Sequence, residues 1–143
     1  MPIGALVDTG AIVALLDKND PWHAACAKAF TQIPLPLLTS EAVLTELFYF
    51  MEYRSRNLET AFKFVRSGII TVGSIVDDDL PGITRLMRQY HDRPMDFADA
   101  TLVHLAEREQ LNTVVTIDFS DFLTYRIAGR RPFRILPSPA TRR

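Results

Sequence analysis

Short apolar runs alternate along this chain with segments whose apolar residues recur at helical spacing. The runs at 2–7, 37–39, 69–72, 113–116 and 133–136 are too short for core helices and read as strands, the last at a sheet edge. Between them the pattern predicts helices. One spans 11–16. The next is opened by Asp20 as N-cap with Pro21 at the first position, and carries Ala25, Ala29 and Phe30. A long helix, capped by Ser40 and reaching about Arg54, has the apolar stripe Val43, Leu44, Leu47, Phe48 and Met51. Others run over 58–66, ending at Ser67-Gly68, and onward from Asp77–Asp79 and Leu80-Pro81 through Ile83, Leu86, Met87 and Tyr90. A helix follows Met95, and 119–125 makes a short turn or helix. Strands alternating with helices specify an α/β domain around a mainly parallel sheet of roughly four to five strands.

Against that frame the acids stand out. Ligand sites in open parallel sheets form at the carboxyl ends of strands. Asp8 and Asp118 each end an apolar run, while Glu46 and Asp99 lie near helix starts that can share that edge. At roughly 100° per residue, Ala98, Leu102, Val103, Leu105 and Ala106 share one helix face. Asp99 projects within that face and Asp96 lies at its rim, and an acid aimed at the core needs a partner. Four converging carboxylates cannot all stay ionised without a cation, and Mg²⁺ or Mn²⁺ is the hard ion such oxygens suit. Cys26, His23, His91 and His104 show no zinc-ligand spacing. Taken singly, each position has a plainer role. Asp8 can cap a helix, Glu46 can be solvated, and Asp96 can favour a helix N-terminus. Asp118 and Asp121 can be a turn acid and a cap, and Thr9 and Thr116 can be cap or turn hydroxyls. Trp22 and His104 read as packing and surface residues.

Composition adds bounds. With 143 residues, 48% hydrophobic and 23% charged, the chain suits one globular domain, taken as 1–136 with a Pro/Arg-containing tail at 137–143. No apolar run approaches the ~18 residues of a membrane span. No signal-peptide pattern opens the chain, and the lone cysteine fits a cytoplasmic setting. The net charge of -1 hides an asymmetry: Arg126, Arg130, Arg131, Arg134, Arg142 and Arg143 follow the last acid, Asp121. That end can hold a polyanion beside an acid-lined site, or simply be a solvated or partner-binding surface.

The order of these motifs resembles the PIN-domain ribonucleases, in particular the VapC-like toxins of toxin–antitoxin pairs. The resemblance is carried by Leu6-Val7-Asp8-Thr9-Gly10-Ala11, Ala14-Leu15-Leu16-Asp17, Asp20-Pro21-Trp22-His23, the stretch 39–47 with Glu46, Met95-Asp96-Phe97-Ala98-Asp99-Ala100, and Thr116-Ile117-Asp118-Phe119-Ser120-Asp121-Phe122. It implies a three-layer α/β/α domain with a Mg²⁺- or Mn²⁺-binding acidic pocket. It also implies endonucleolytic cleavage of RNA, a homodimer, and a cognate antitoxin. By motif position it implies Asp8 and Asp99 as principal ligands, with Glu46 and Asp118 completing the catalytic acids. Thr9, Asp96 and Thr116 would support them. Other readings remain: a PIN-like module that binds RNA or protein without cutting, or an aspartic protease on the strength of Asp8-Thr9-Gly10. A receiver domain needs a lysine after its last strand, where none stands. A HAD-type phosphatase needs a second aspartate where Gly10 stands.

Overall fold

The computed structural model describes residues 2–54, 56–93 and 95–139. The chain begins β1 (Leu6–Val7), α1 (Thr9–Leu16), α2 (His23–Thr31), β2 (Leu37–Ser40), α3 (Glu41–Tyr53), α4 (Leu58–Val65) and β3 (Ile70–Gly73). A single 3-10 turn, Asp77–Asp79, leads into α5 (Leu80–Gln89) and then α6 (Phe97–Arg108). The chain ends β4 (Thr113–Val115), α7 (Phe119–Thr124), β5 (Arg126–Ile127), β6 (Arg131–Pro132) and β7 (Arg134–Leu136).

Five strands form one parallel sheet in the order β3-β2-β1-β4-β7. The chain steps outward from β1 to β3, then returns to lay β4 on the other side of β1. Strand order therefore reverses between β1 and β4, the place where parallel α/β sheets open a crevice for ligands. α1 packs on α2 and α3, α3 on α4, and α5 on α6. Helices flank the parallel sheet in the expected three layers, the arrangement parallel strands and their crossovers require. Because both faces are covered, Leu6, Val7, Leu37, Val114 and Val115 are all fully buried, and the central strands read as unbroken apolar runs.

Local chemistry sets most boundaries. The Ser40 hydroxyl accepts from Val43 N at 3.2 Å and starts α3 as expected. The predicted strand at 2–7 is laddered only at Leu6–Val7, because its partner β2 begins at Leu37 opposite that point. Asp20 is a correction: it does not cap α2. Its carboxylate accepts from Trp22 N at 2.8 Å in a local turn, and the helix starts at His23 with Trp22 as N-cap. Asp77–Asp79 form a 3-10 turn before the α-helix proper, held by Asp79 accepting from Val76 N at 2.9 Å. The antiparallel β5–β6 ribbon, turned through Ala128 and Gly129 at positive φ, has no counterpart in the sequence reading. Asp8-Thr9-Gly10 runs straight into α1, so the β-rich frame of an aspartic protease is absent.

Candidate metal centre

The acids gather at the strand reversal. Asp8 follows β1 and its backbone N–H donates to Val115 O of β4 at 2.9 Å. Its Oδ1 accepts from Thr9 N at 2.8 Å, so Asp8 does cap α1, while its Oδ2 accepts from Thr116 Oγ1 at 3.1 Å. The Thr116 hydroxyl in turn accepts from Asp118 N at 2.9 Å. One threonine thereby ties the ends of β1 and β4 together. Gly10 allows the approach: a Cβ there would stand 2.9 Å from Ile117 Cγ1, tighter than side chains tolerate.

Asp99 arrives from the opposite layer in the first turn of α6. Asp96 caps that helix by accepting from Asp99 N at 2.8 Å. Tyr125, fully buried, donates its hydroxyl to Asp99 Oδ2 at 2.9 Å and is wedged edge-on against Phe122 and Tyr90. From α3, Glu46 accepts from Thr9 Oγ1 at 2.7 Å. Asp8, Asp99 and Asp118 each offer an oxygen within 4.8 Å of the others'. Glu46 lies outside that trio but lines the same cavity of about 660 Å³, as does Asp96. All four acids singled out in the sequence thus face one space, and Thr9 and Thr116 bond to two of them.

The electrostatics follow from this crowding. Burial pushes Asp99 up to about 8, helped by the neighbouring charges of Asp8 and Asp96 and opposed by the Tyr125 hydroxyl. Asp118 rises to about 7, through desolvation first and then the adjoining Asp121 carboxyl. Asp8 and Glu46 are raised too, in both cases chiefly by burial. Among the described residues no lysine or arginine forms an ion pair with Asp8, Glu46, Asp99 or Asp118. An all-carboxylate donor set whose members resist ionising together is the environment a hard divalent cation satisfies.

Two neighbours escaped the sequence reading as site residues. Asp121 stands one helical turn after Asp118, a spacing that could have flagged it. Nothing in the sequence marks Tyr125, because its role depends on the turn from α7 into β5 packing against α6. The C-terminal arginines divide. Arg126 is engaged with the carbonyls of Leu123, Thr124 and Tyr125. Arg134 begins β7 opposite Thr113, at the amino end of β4 and so away from the acids. Arg142 and Arg143 lie outside the described residues. His104 is a structural residue, its Nε2 2.8 Å from Asp79 Oδ1. Among the described residues no helix is long and apolar enough to cross a membrane.

Comparisons with known proteins agree with this architecture. The chain is 28% identical over 134 residues to Ribonuclease VapC26 of Mycobacterium tuberculosis, spanning 92% of this chain and 99% of that protein. Among solved structures it resembles Mycobacterium tuberculosis VapC20, described as a Sarcin-Ricin loop cleaving toxin. The TM-score is 0.71 and the identity 20%, over 82% of this chain and 93% of that one. A toxin–antitoxin complex from Klebsiella pneumoniae matches with TM-score 0.65 and 18% identity, over 84% and 91% of the two chains. DNA-bound VapBC from Salmonella typhimurium matches with TM-score 0.64 and 16% identity, over 94% and 98%. These likenesses establish a shared fold. Residues 5–125 match the PIN domain family, and with the reversal-point acids in place the chain belongs to that family.

Proposed function

We propose that this chain is a VapC-type endoribonuclease that hydrolyses RNA phosphodiester bonds with Mg²⁺ or Mn²⁺. In this reading it is the toxin of a toxin–antitoxin pair, acts in the cytoplasm as a homodimer, and is held by a cognate antitoxin. Residues 1–136 form its single working domain and 137–143 a tail. The observation that carries the reading is the convergence of Asp8, Asp99 and Asp118 within 4.8 Å at the strand reversal, in a chain 28% identical to a named ribonuclease. VapBC and toxin–antitoxin complexes among the structural relatives support the partner.

Asp8, Asp99 and Asp118 would hold the ion, with Glu46 extending the negative lining of the same cavity. Such an ion supplies a Lewis acid for the phosphate and makes water acidic enough to ionise near neutral pH. The rest is the work of the protein. Thr116 orients Asp8 and the backbone of Asp118 together, and Tyr125 fixes the carboxyl plane of Asp99. Thr9 holds Glu46 toward the cavity. Because these groups are already bonded, their carboxyls need little rearrangement when substrate arrives.

The test is cleavage of a mixed RNA pool with Mn²⁺ by the unaltered protein and by Asp8→Asn and Asp99→Asn. Each substitution is expected to cut the rate by more than about 100-fold, beyond the loss typical of groups that only support a metal ligand. Full cleavage in the presence of a chelator, or undiminished cleavage by both variants, overturns the proposal.

A further inference from the structure

The cavity that gathers the acids is also aromatic. Tyr49 and Phe50 line it beside Asp8, Glu46, Asp99 and Asp118. Positions 46, 49, 50 and 53 recur at helical spacing along one flank of α3. The turn that delivers Glu46 to the acids is therefore followed at once by Tyr49 and Phe50, then by Tyr53. Packing does not explain this flank, since Val43, Leu47 and Met51 are the residues that anchor α3 in the core. Tyr49 is 57% exposed, Phe50 39% and Tyr53 61%. The Tyr49 and Tyr53 rings lie 5.0 Å apart, and the Arg54 guanidinium stands 5.4 Å from the centre of the Phe50 ring. On the other side, Thr45, Glu46 and Asp96 also border a neighbouring depression with Ala42, Phe97 and Ala98. Glu46 and Asp96 thus border both depressions, one lined by Tyr49 and Phe50 and the other by Phe97.

We propose that Tyr49 and Phe50 form a stacking ledge for an unpaired nucleobase next to the scissile phosphate, with Tyr53 and Arg54 extending it along the strand. The inference rests on the ribonuclease reading and deepens it by naming the residues that hold a base beside the cut. Every base presents a π-face, so aromatic stacking holds RNA with little regard to sequence. An acid-lined pocket repels a phosphate, and stacking supplies affinity that needs no charge neutralisation. Arg54, beside Phe50, adds a cation where the backbone would continue. A nucleotide stacked there brings a phosphate to the same cavity, where it can share the cation of Asp8, Asp99 and Asp118.

The test compares steady-state cleavage of a single-stranded oligonucleotide with the same oligonucleotide lacking the base beside the cut. The combined Tyr49→Leu/Phe50→Leu protein keeps apolar bulk but no ring. Its KM is expected to rise about tenfold or more, with kcat little changed. Tyr49→Phe, which keeps a ring, recovers most of that loss when combined with native Phe50. Removing the base raises the KM of the unaltered protein comparably and that of the leucine variant not at all. Equal KM for both proteins, or an equal penalty in both for the missing base, overturns the ledge. So does unchanged cleavage accompanied by altered self-association or altered binding of a protein partner, since the face would then belong to a protein. If the double variant is unfolded by circular dichroism, Tyr49→Leu alone carries the comparison. To separate the ledge from turnover, the Asp99→Asn protein is mixed with RNA carrying 2-aminopurine. Quenching that the leucine substitutions abolish supports stacking even where cleavage is not detected. Quenching that survives them overturns it.

Discussion

Asp99 is held where an ionised carboxyl is least tolerated: 7% exposed, across from Asp8, with only the Tyr125 hydroxyl favouring the charge. The folded protein therefore holds a proton at Asp99 up to about pH 8, whereas an unfolded aspartate releases it near 4. A raised folded-state pKa gives stability that is complete below the unfolded value and lost as pH climbs through the folded one. Asp118, raised to about 7, adds in the same direction. The metal-free protein should thus lose stability between about pH 4 and 8, and chelator-treated samples melted across that range will show it. Asp99→Asn keeps the shape of the protonated acid without the titration. It should match the unaltered protein near pH 4 and exceed it at pH 8 by on the order of a few kcal/mol. Parallel pH profiles for the two proteins would mean that Asp99 is not the strained acid.

At the scale of elements, the site depends on α3 and α6 being fixed across the carboxyl edge of the sheet, and one buried pair does this. Thr101 on α6 donates to Ala98 O, so the 2.7 Å contact between Ser40 and Thr101 has Ser40 as donor. The same Ser40 oxygen accepts from Val43 N and caps α3. Ser40→Ala removes both bonds and strands a buried amide, at an expected cost of about 1–2 kcal/mol. Denaturant unfolding measures it, and Thr45→Ala, a control on an exposed back-bonded threonine of the same helix, should cost well under that. Caps and periodicity were readable in this way because they are local: Ser40 and the stripe 43-47-51 each signal within a turn or two of chain. Asp8 and Asp118 were legible because an apolar run ending in a carboxylate is a local pattern, Asp99 because it projects within the apolar face of its helix, and Glu46 only through the motif resemblance. Contacts made only by the finished fold were not. The β5–β6 ribbon is held by pairing of two residues a side, too short for a period to show. Tyr125 matters only because the turn into β5 lies against α6 and brings its hydroxyl to Asp99. Asp20 was misassigned because an Asx turn and a helix cap share the same local signature, Asp before Pro, and the structure gives it the turn.

For the molecule as a whole, the direction of the sheet separates the clustered acids from Arg134. The carboxyl ends of β1 and β4 carry Asp8 and Asp118, while Arg134 enters β7 at the opposite end. Among the described residues no lysine or arginine pairs with Asp8, Asp99 or Asp118, so folding brings these acids together uncompensated. Divalent cation binding only to the folded state then stabilises it by mass action, about 2.7 kcal/mol at a hundred times Kd. For a chain of this size that corresponds to a rise of roughly 5–10 °C in melting temperature. The rise should be larger at pH 8 than at pH 5, since protons on Asp99 and Asp118 compete with the ion. It should exceed that from Na⁺ at matched ionic strength, which only screens. Asp99→Asn begins more stable at pH 8 and gains little from Mg²⁺ or Mn²⁺, so the two melting curves should approach one another as the ion is added. An equal rise in both proteins would place the ion elsewhere and leave the buried Asp99 without the partner its burial demands.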